Sequence, residues 1–343
     1  MNTYRYTLDK SSKKFVCPAC GQKRFVRYID SETKSYLSEE YGRCDRESKC
    51  GHHLNPYKSG YAAEQRELYV YKPPKATKPR KLTNTALSTE PVFIPYDVLK
   101  AFLKGYERNN FIQNLLCRVA FPFTTADIER VIGLYYLGTV TSRYMAGAII
   151  LPFIDINNNI RAAQVKLFDE NNHTVKTSYL HSIIKISSNS TPEWLARYIK
   201  AEKKVTCLFG EHLLKEYPNN PIALVEAPKT AIYATLYFGF PEHENDFIWL
   251  AVGSKCYLNF KRLEVLQGRK VAVYPDLSKD GSTFEEWAQK IADIEQELPY
   301  TKFVMSDLLE QYADENTRYN GFDLADYLIG FDWRQFRSSG KLL

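Results

Sequence analysis

The 343-residue sequence has no run of about 18 uninterrupted apolar residues, which excludes a membrane-spanning helix. Its first residues, MNTYRYTLDKSSKKF, lack the apolar centre of a secretion signal. A cytoplasmic protein with reduced thiols and no membrane partner is expected. It also lacks a G-x-x-x-x-G-K-[ST] phosphate loop, a G-x-G-x-x-G dinucleotide fingerprint and a G-x-S-x-G nucleophile elbow. No helicase motor is present, so a replicative helicase acting with this protein would be a separate chain.

Cysteine is scarce and unevenly placed. Of seven, four fall in one segment as Cys17-Pro-Ala-Cys20 and Cys44-Asp-Arg-Glu-Ser-Lys-Cys50. Two thiolates separated by two residues reach one ion from a tight turn, and a second pair from a distant turn completes a tetrahedron around Zn2+. The five-residue gap between Cys44 and Cys50 is wide for such a turn, and His52 and His53 follow at once. Cys50 or His53 is therefore the candidate fourth ligand. The competing reading is four ordinary buried thiols. Cys117, Cys207 and Cys256 are scattered among apolar neighbours and read as core residues.

The net charge of +6 hides an asymmetry. Residues 1–82 hold 18 Lys and Arg against 9 Asp and Glu, whereas the remainder of the chain sums to −3. Aromatic residues are interleaved with this charge in Lys23-Arg24-Phe25-Val26-Arg27-Tyr28, Tyr41-Gly42-Arg43 and Tyr57-Lys58. Cations neutralise phosphates and flat rings stack on unpaired bases, so Lys23, Arg24, Arg27, Tyr28 and Arg43 are candidate contacts to single-stranded nucleic acid. The alternative is a half-exposed strand whose rings pack inward and whose charges are merely solvated.

Composition shifts suggest four parts: a zinc-binding module over 1–62, a basic Pro-containing linker over 63–90, a mixed α/β middle domain over 91–204 and a parallel-sheet domain over 205–335. The linker reading rests on Tyr71 to Lys81, with three prolines and five cations. In the middle part, Tyr96 to Cys117 has helical spacing, Thr125 to Gly133 reads as a short capped helix, and Asn157-Asn158-Asn159 joins two hairpin strands. From about residue 205, short apolar strands (221–226, 247–252, 270–274, 302–305) alternate with helical segments (229–238, 259–266, 283–298). Such alternation implies βαβ units and a mostly parallel sheet, with ligands at the carboxyl ends of the strands. Glu226 ends the first of these strands and Asp276 follows the third, so the two acids are candidates to converge on a divalent cation. The plainer alternative for each is a helix cap or a solvated loop acid.

Glu226-Ala-Pro-Lys-Thr-Ala231, Ala251-Val-Gly253, Val-Tyr-Pro-Asp276 and Gly321-Phe-Asp-Leu-Ala-Asp-Tyr-Leu328 together resemble a TOPRIM domain, the fold shared by bacterial-type primases, topoisomerases and some nucleases. With the zinc segment, the arrangement resembles the zinc-binding, primase-like proteins of phages, plasmids and mobile elements. Cys207-Leu-Phe-Gly-Glu-His-Leu-Leu214 is similar to a subfamily of these to which no role attaches. The resemblance implies an α/β and α+β multidomain protein with a zinc-ribbon-like module, a mixed middle domain and a C-terminal TOPRIM-like parallel-sheet domain. It implies Glu226 as general base or metal ligand, and Asp276 as a ligand of Mg2+ or Mn2+. Asp280, Asp323, Asp326 and Lys229 are further candidates to hold the ion or a nucleotide. The sequence departs from the pattern at Ser278, where the family has a second aspartate, and at Ala227-Pro228 beside the glutamate. The expected function is a DNA-primase-like nucleotidyltransferase that uses single-stranded DNA and nucleotides. A catalytically weak DNA-binding accessory protein and a metal-dependent nuclease are the alternatives.

Overall fold

A computed structural model of the protein describes residues 5–46, 49–57, 59, 61–62, 91–188, 190–201 and 207–338. The basic linker expected over 63–90 lies outside the described residues, as does 202–206 at the expected boundary between middle and C-terminal parts. The chain divides into two units, one within residues 1–89 (joined by 319–321) and one made of 90–318 and 322–343.

In the first unit, β1 (Tyr6–Leu8), β2 (Phe25–Asp30), β3 (Gly42–Cys44) and β4 (His53–Leu54) form an antiparallel sheet in that order. Phe25 pairs with Cys44 across β2 and β3. The sheet passes so close over Gly42 that a Cβ there would lie 2.4 Å from the Val26 carbonyl oxygen, which explains the glycine. Its cores are small: Tyr6, Tyr28, Leu37 and Ala62 form one cluster, and Cys17, Phe25 and Cys44 the other.

The second unit contains two sheets. The antiparallel one runs β5 (Gly138–Thr139), β6 (Ile149–Ile154), β7 (Ile160–Phe168), β8 (Thr174–Tyr179). The expected hairpin joins β6 to β7, and its turn is tied by Asp155, whose Oδ1 accepts from the backbone N–H of Asn157 (3.0 Å) and Asn159 (2.9 Å). The helical expectation for 96–117 needs correction. The segment breaks at Gly105 (φ +72°) into α1 (Tyr96–Lys100), a 3-10 turn at Tyr106–Arg108 and α2 (Asn110–Cys117). A Cβ on Gly105 would meet Thr141 Cγ2 at 2.4 Å, so packing as well as dihedral sets the break. Helix α3 (Thr125–Tyr135), capped by Thr124, runs two residues past Gly133. Its last residue, Tyr135, is fully buried, with its hydroxyl 2.9 Å from the Trp249 carbonyl.

The other sheet is wholly parallel: β9 (Ile222–Val225), β10 (Ile248–Ala251), β11 (Lys270–Tyr274) and β12 (Lys302–Met305), in the spatial order β10-β9-β11-β12. Strands β9 and β10 are buried throughout, as strands covered on both faces must be. Chain order and spatial order reverse between β9 and β11, and in such sheets the crevice at that reversal is where ligands bind.

The segment Cys207–Leu214 joins these pieces. Phe209 exchanges backbone hydrogen bonds with Ala251 (2.8 and 3.1 Å), Gly210 turns the chain at φ +81°, and His212 Nε2 lies 2.9 Å from the Leu134 carbonyl. The buried Glu211 carboxylate accepts from Ile156 N (3.1 Å) at the hairpin turn and from Leu208 N (2.9 Å). Burial pushes its pKa up from about 4.5 to about 7, the two backbone donors acting only in part against this. Between those two values the folded chain holds a proton that the unfolded chain has released, so this group's contribution to stability is greatest at low pH and is lost as pH rises through 7. Buried His212, whose pKa burial lowers, acts in the opposite direction, so the effect is read as a difference. Urea unfolding of the wild type relative to Glu211→Gln should show the wild type losing on the order of 2 kcal/mol more between pH 5.5 and 8. Equal pH dependence in the two proteins would contradict this account of the segment.

Candidate functional site

The sequence points to two sets of metal-ligating side chains, of opposite chemical character, and among the described residues only the four thiols are spaced as three or more ligands around one ion. In the N-terminal unit the sulfurs of Cys17, Cys20, Cys44 and Cys50 all lie within 4.8 Å of one another, with Cys17 to Cys50 at 3.7 Å and Cys20 to Cys44 at 3.9 Å. A tetrahedral zinc with bonds of about 2.3 Å has ligand edges of about 3.8 Å, so this set fits the ion without rearrangement. Each pair sits on a tight turn: Gly21 (φ +67°) donates to the Cys17 carbonyl at 2.9 Å, and the Cys50 N–H to that of Arg46 at 2.7 Å. His53 stands outside the cluster. Its Nε2 bonds the Tyr28 hydroxyl at 3.0 Å and its ring stacks parallel to that tyrosine. Between the two sequence candidates for fourth ligand, it is the sulfur of Cys50 that joins the other three.

The expected nucleic-acid contacts are only partly available. Lys23 and Arg24 are exposed and Arg43 is half-buried. Tyr28, in contrast, is 6% exposed and Phe25 is fully buried, so neither ring is free to stack on a base. Arg27 lies over the rings of Phe15 and Tyr36, bonds the Leu37 carbonyl and faces Glu39 at 3.7 Å. The mixture of rings and cations in β2 is therefore largely the in-and-out alternation of a strand on a small core.

The second cluster lies at the carboxyl edge of the parallel sheet. Val225 and Tyr274 are register partners in β9 and β11, so Glu226 and Asp276 leave the sheet at one edge, on the two sides of the topological reversal. Asp276 Oδ1 is buried and has no hydrogen-bond partner among the described residues. Burial first, and then the charges of Glu226 and Asp323, push the Asp276 pKa well above the ordinary carboxyl range.

The remaining expected residues are otherwise employed. Asp280 is exposed, and its Oδ1 accepts from Ser282 N at 3.1 Å at the start of α9 (Ser282–Glu297), which is the capping alternative, so it does not join the acidic edge. Ser278, in place of the family's second aspartate, is buried, and its hydroxyl accepts from Thr283 N at 2.9 Å. It serves the same helix start. Asp323 and Asp326 form a reciprocal capping box at the start of α12 (Leu324–Leu328), where α10 (Leu308–Tyr312) and α11 (Glu315–Asn320) precede it. The ammonium of Lys229, near the start of α7 (Pro228–Phe238), lies 3.0 Å from each of these carboxylates. Despite burial, Asp323 and Asp326 hold the Lys229 pKa above its ordinary value. Against burial, Lys229 likewise holds Asp323 below its own. Lys229 is thus an internal ion-pair partner and is not available to a nucleotide.

One residue of this site escaped the sequence reading. Lys166 on β7 is half-buried, and its pKa is lowered by burial and by Lys229 while Asp323, Glu226 and Asp276 pull the other way. Its charge is thus within electrostatic range of the acidic edge, and its ammonium has no hydrogen-bond partner among the described residues. Two residues earlier on the same face of β7, Gln164 carries a buried Oε1 that also lacks a partner among them. The available signal was a lysine inside a largely buried strand, Ala162-Ala-Gln-Val-Lys-Leu-Phe168.

Residues 4–67 match the sequence profile of a zinc beta-ribbon finger. Residues 109–277 match that of a domain of unknown function, DUF6371, a span that takes in the antiparallel sheet, Cys207–Leu214, Glu226 and Asp276. No curated protein sequence matches the chain. Among solved structures, the chain is similar to the primase fragment of the bacteriophage T7 primase-helicase protein, at 13% identity and a TM-score of 0.33, covering 90% of this chain and 98% of that one. It is similar to the Aquifex aeolicus primase (zinc-binding and RNA polymerase domains) at 14% identity and a TM-score of 0.41, covering 97% and 79%. The RNA polymerase domain of Mycobacterium tuberculosis primase DnaG gives 12% identity and a TM-score of 0.41, covering 71% and 79%. These likenesses are distant, and the functional reading rests on this chain's own residues.

The zinc-ribbon match and the four-sulfur geometry support a structural Zn2+ in the N-terminal unit. With so few buried apolar residues there, the unit's folding should depend on the ion. Chelation of zinc, or Cys44→Ser, should open residues 5–62 to proteolysis while the second unit stays resistant. A metal-free N-terminal unit that kept its protease resistance would contradict this.

Proposed function

We propose that the protein is a primase-like nucleotidyltransferase with a TOPRIM-type acidic site, acting on single-stranded DNA. The observation that carries this reading is the pair Glu226 and Asp276 at the sheet's topological reversal, with Asp276 Oδ1 buried and without a hydrogen-bond partner among the described residues. A carboxylate desolvated beside a second carboxylate is unfavourable alone and becomes favourable when a cation arrives. The donor set is hard carboxylate oxygen, which suits Mg2+ or Mn2+.

When bound there, such an ion would offset the charge on the reacting phosphate. Glu226 takes the proton from the attacking hydroxyl, the role of a base within reach of a polarised oxygen. Asp276 fixes the ion's position against the strand end. Lys166 approaches from the antiparallel sheet and pairs with a phosphate oxygen of the nucleotide or template, filling the partner its ammonium lacks. Lys23 and Arg24, exposed on the zinc-ribbon unit, contact the backbone of the single strand. Nucleotides and single-stranded DNA are the partners this site fits, and any helicase is supplied by another chain.

A second reading, a DNA-binding accessory protein of a mobile element with little catalysis, has one observation in its favour. Ser278 spends its hydroxyl on a helix N–H and brings no charge to the site.

Template-dependent nucleotide incorporation with Mg2+ or Mn2+ separates the two. The intact protein should synthesise product, and Glu226→Gln, Asp276→Asn and Lys166→Met should each lower the rate by about 10²-fold or more. Because the Asp276→Asn change removes a buried repulsion, that variant should also unfold at a higher temperature than the wild type. DNA binding without synthesis would favour the accessory reading, and substrate shortening would indicate a nuclease. Unchanged synthesis in Asp276→Asn would refute the assignment.

A further inference from the structure

The acidic edge holds four carboxylates, Glu226, Asp276, Asp323 and Asp326, yet they are not equivalent. Asp323 and Asp326 are bridged by Lys229 Nζ, 3.0 Å from each, and Asp323 Oδ2 also accepts from the Thr230 hydroxyl at 3.0 Å. The Lys229 side chain is 13% exposed and that of Asp323 10%. An ammonium tethered at this position is present at all ion concentrations. A magnesium ion, which sheds its waters reluctantly, would have to displace it from two charge-assisted contacts at once.

We infer that Lys229 is a built-in cation, holding between Asp323 and Asp326 the position a second divalent ion would otherwise take, so that the edge binds one exchangeable metal, at Glu226 and Asp276. The inference also accounts for Ser278. Where a fixed cation already serves Asp323 and Asp326, a further aspartate after β11 would add a charge without an ion to meet it. The one-metal part rests on the proposed role of Glu226 and Asp276, whereas the part concerning Lys229 stands on its own contacts.

The test counts Mn2+ bound to the full, zinc-loaded chain by electron paramagnetic resonance, with thermal unfolding followed at each Mn2+ concentration. The wild type should bind one Mn2+, lost in Asp276→Asn. Lys229→Ala should bind a second, lost again on adding Asp323→Asn, and Mn2+ should restore much of the thermal stability this variant loses. Lys229→Met, which keeps the apolar stem, is the second variant should alanine unfold the chain. Lys229→Arg should behave as wild type. If neither Lys229→Ala nor Lys229→Met gains a Mn2+ or is stabilised by it, Lys229 is only a clamp between helices and the inference is overturned. It is also overturned if the wild type binds two ions. A wild type that binds none, with Lys229→Ala gaining one that needs Asp323, upholds the built-in cation and overturns instead the reading of Glu226 and Asp276.

Discussion

The parallel pairing of β9 with β11 is the constraint on which the rest of the site depends. With Val225 opposite Tyr274, the chain has no means of separating the acids that follow these strands. They emerge where burial, and then the neighbouring charge of Glu226, raise the cost of a negative charge on Asp276. The surrounding structure then reads as a set of responses to that charge. Lys229, near the start of the helix after β9, pairs with Asp323 and Asp326 and offsets part of their charge. Lys166 approaches from the other sheet. Asp276 keeps a buried Oδ1 with no hydrogen-bond partner among the described residues, and under the proposed function that oxygen is where an exchangeable cation binds.

The N-terminal unit meets a different problem with different chemistry. A four-stranded sheet with so few buried apolar residues has little hydrophobic stabilisation, and four thiolates at tetrahedral spacing supply the missing cohesion. Soft sulfur suits a permanent zinc, while hard carboxylate oxygen suits an ion that comes and goes with phosphates. Under the proposed function, the thiolates and the carboxylates divide structural from chemical duty. The join at Cys207–Leu214 serves the second cluster indirectly, since Glu211 and Phe209 tie the hairpin turn of the antiparallel sheet to the edge of the parallel one. That join carries Lys166 and Glu226 on a common frame.

Much of this was legible in the sequence because it depends on local spacing. Cysteine pairs announce metal turns, and short apolar runs alternating with helical segments announce a parallel sheet whose order of elements the structure reproduces from 222 to 305. Residues whose roles depend on tertiary neighbours were not legible. Nothing local distinguishes Tyr28 facing the core from Tyr28 facing a base, and the choice between Cys50 and His53 turns on a hydrogen bond to Tyr28 from a distant strand. Lys166 approaches Glu226 only after two sheets pack. Asp280 looks like a candidate for a metal in sequence and Ser278 stands where the family has a second aspartate, yet the free N–H groups at the start of α9 claim both. The helix expected over 96–117 failed for a similar reason, since the contact that breaks it at Gly105 comes from Thr141.

The central claim is that the acidic edge is a site for a single divalent cation, held by Glu226 and Asp276, with Lys229 as the fixed charge beside it. Its most direct test is a crystal of the protein soaked in Mn2+ and measured at the manganese absorption edge. The account predicts one anomalous peak within bonding distance of Asp276 and Glu226, with Lys229 still bridging Asp323 and Asp326. A peak between Asp323 and Asp326 with Lys229 displaced, or no peak at this edge at any Mn2+ concentration that saturates nucleotide-dependent activity, would contradict it.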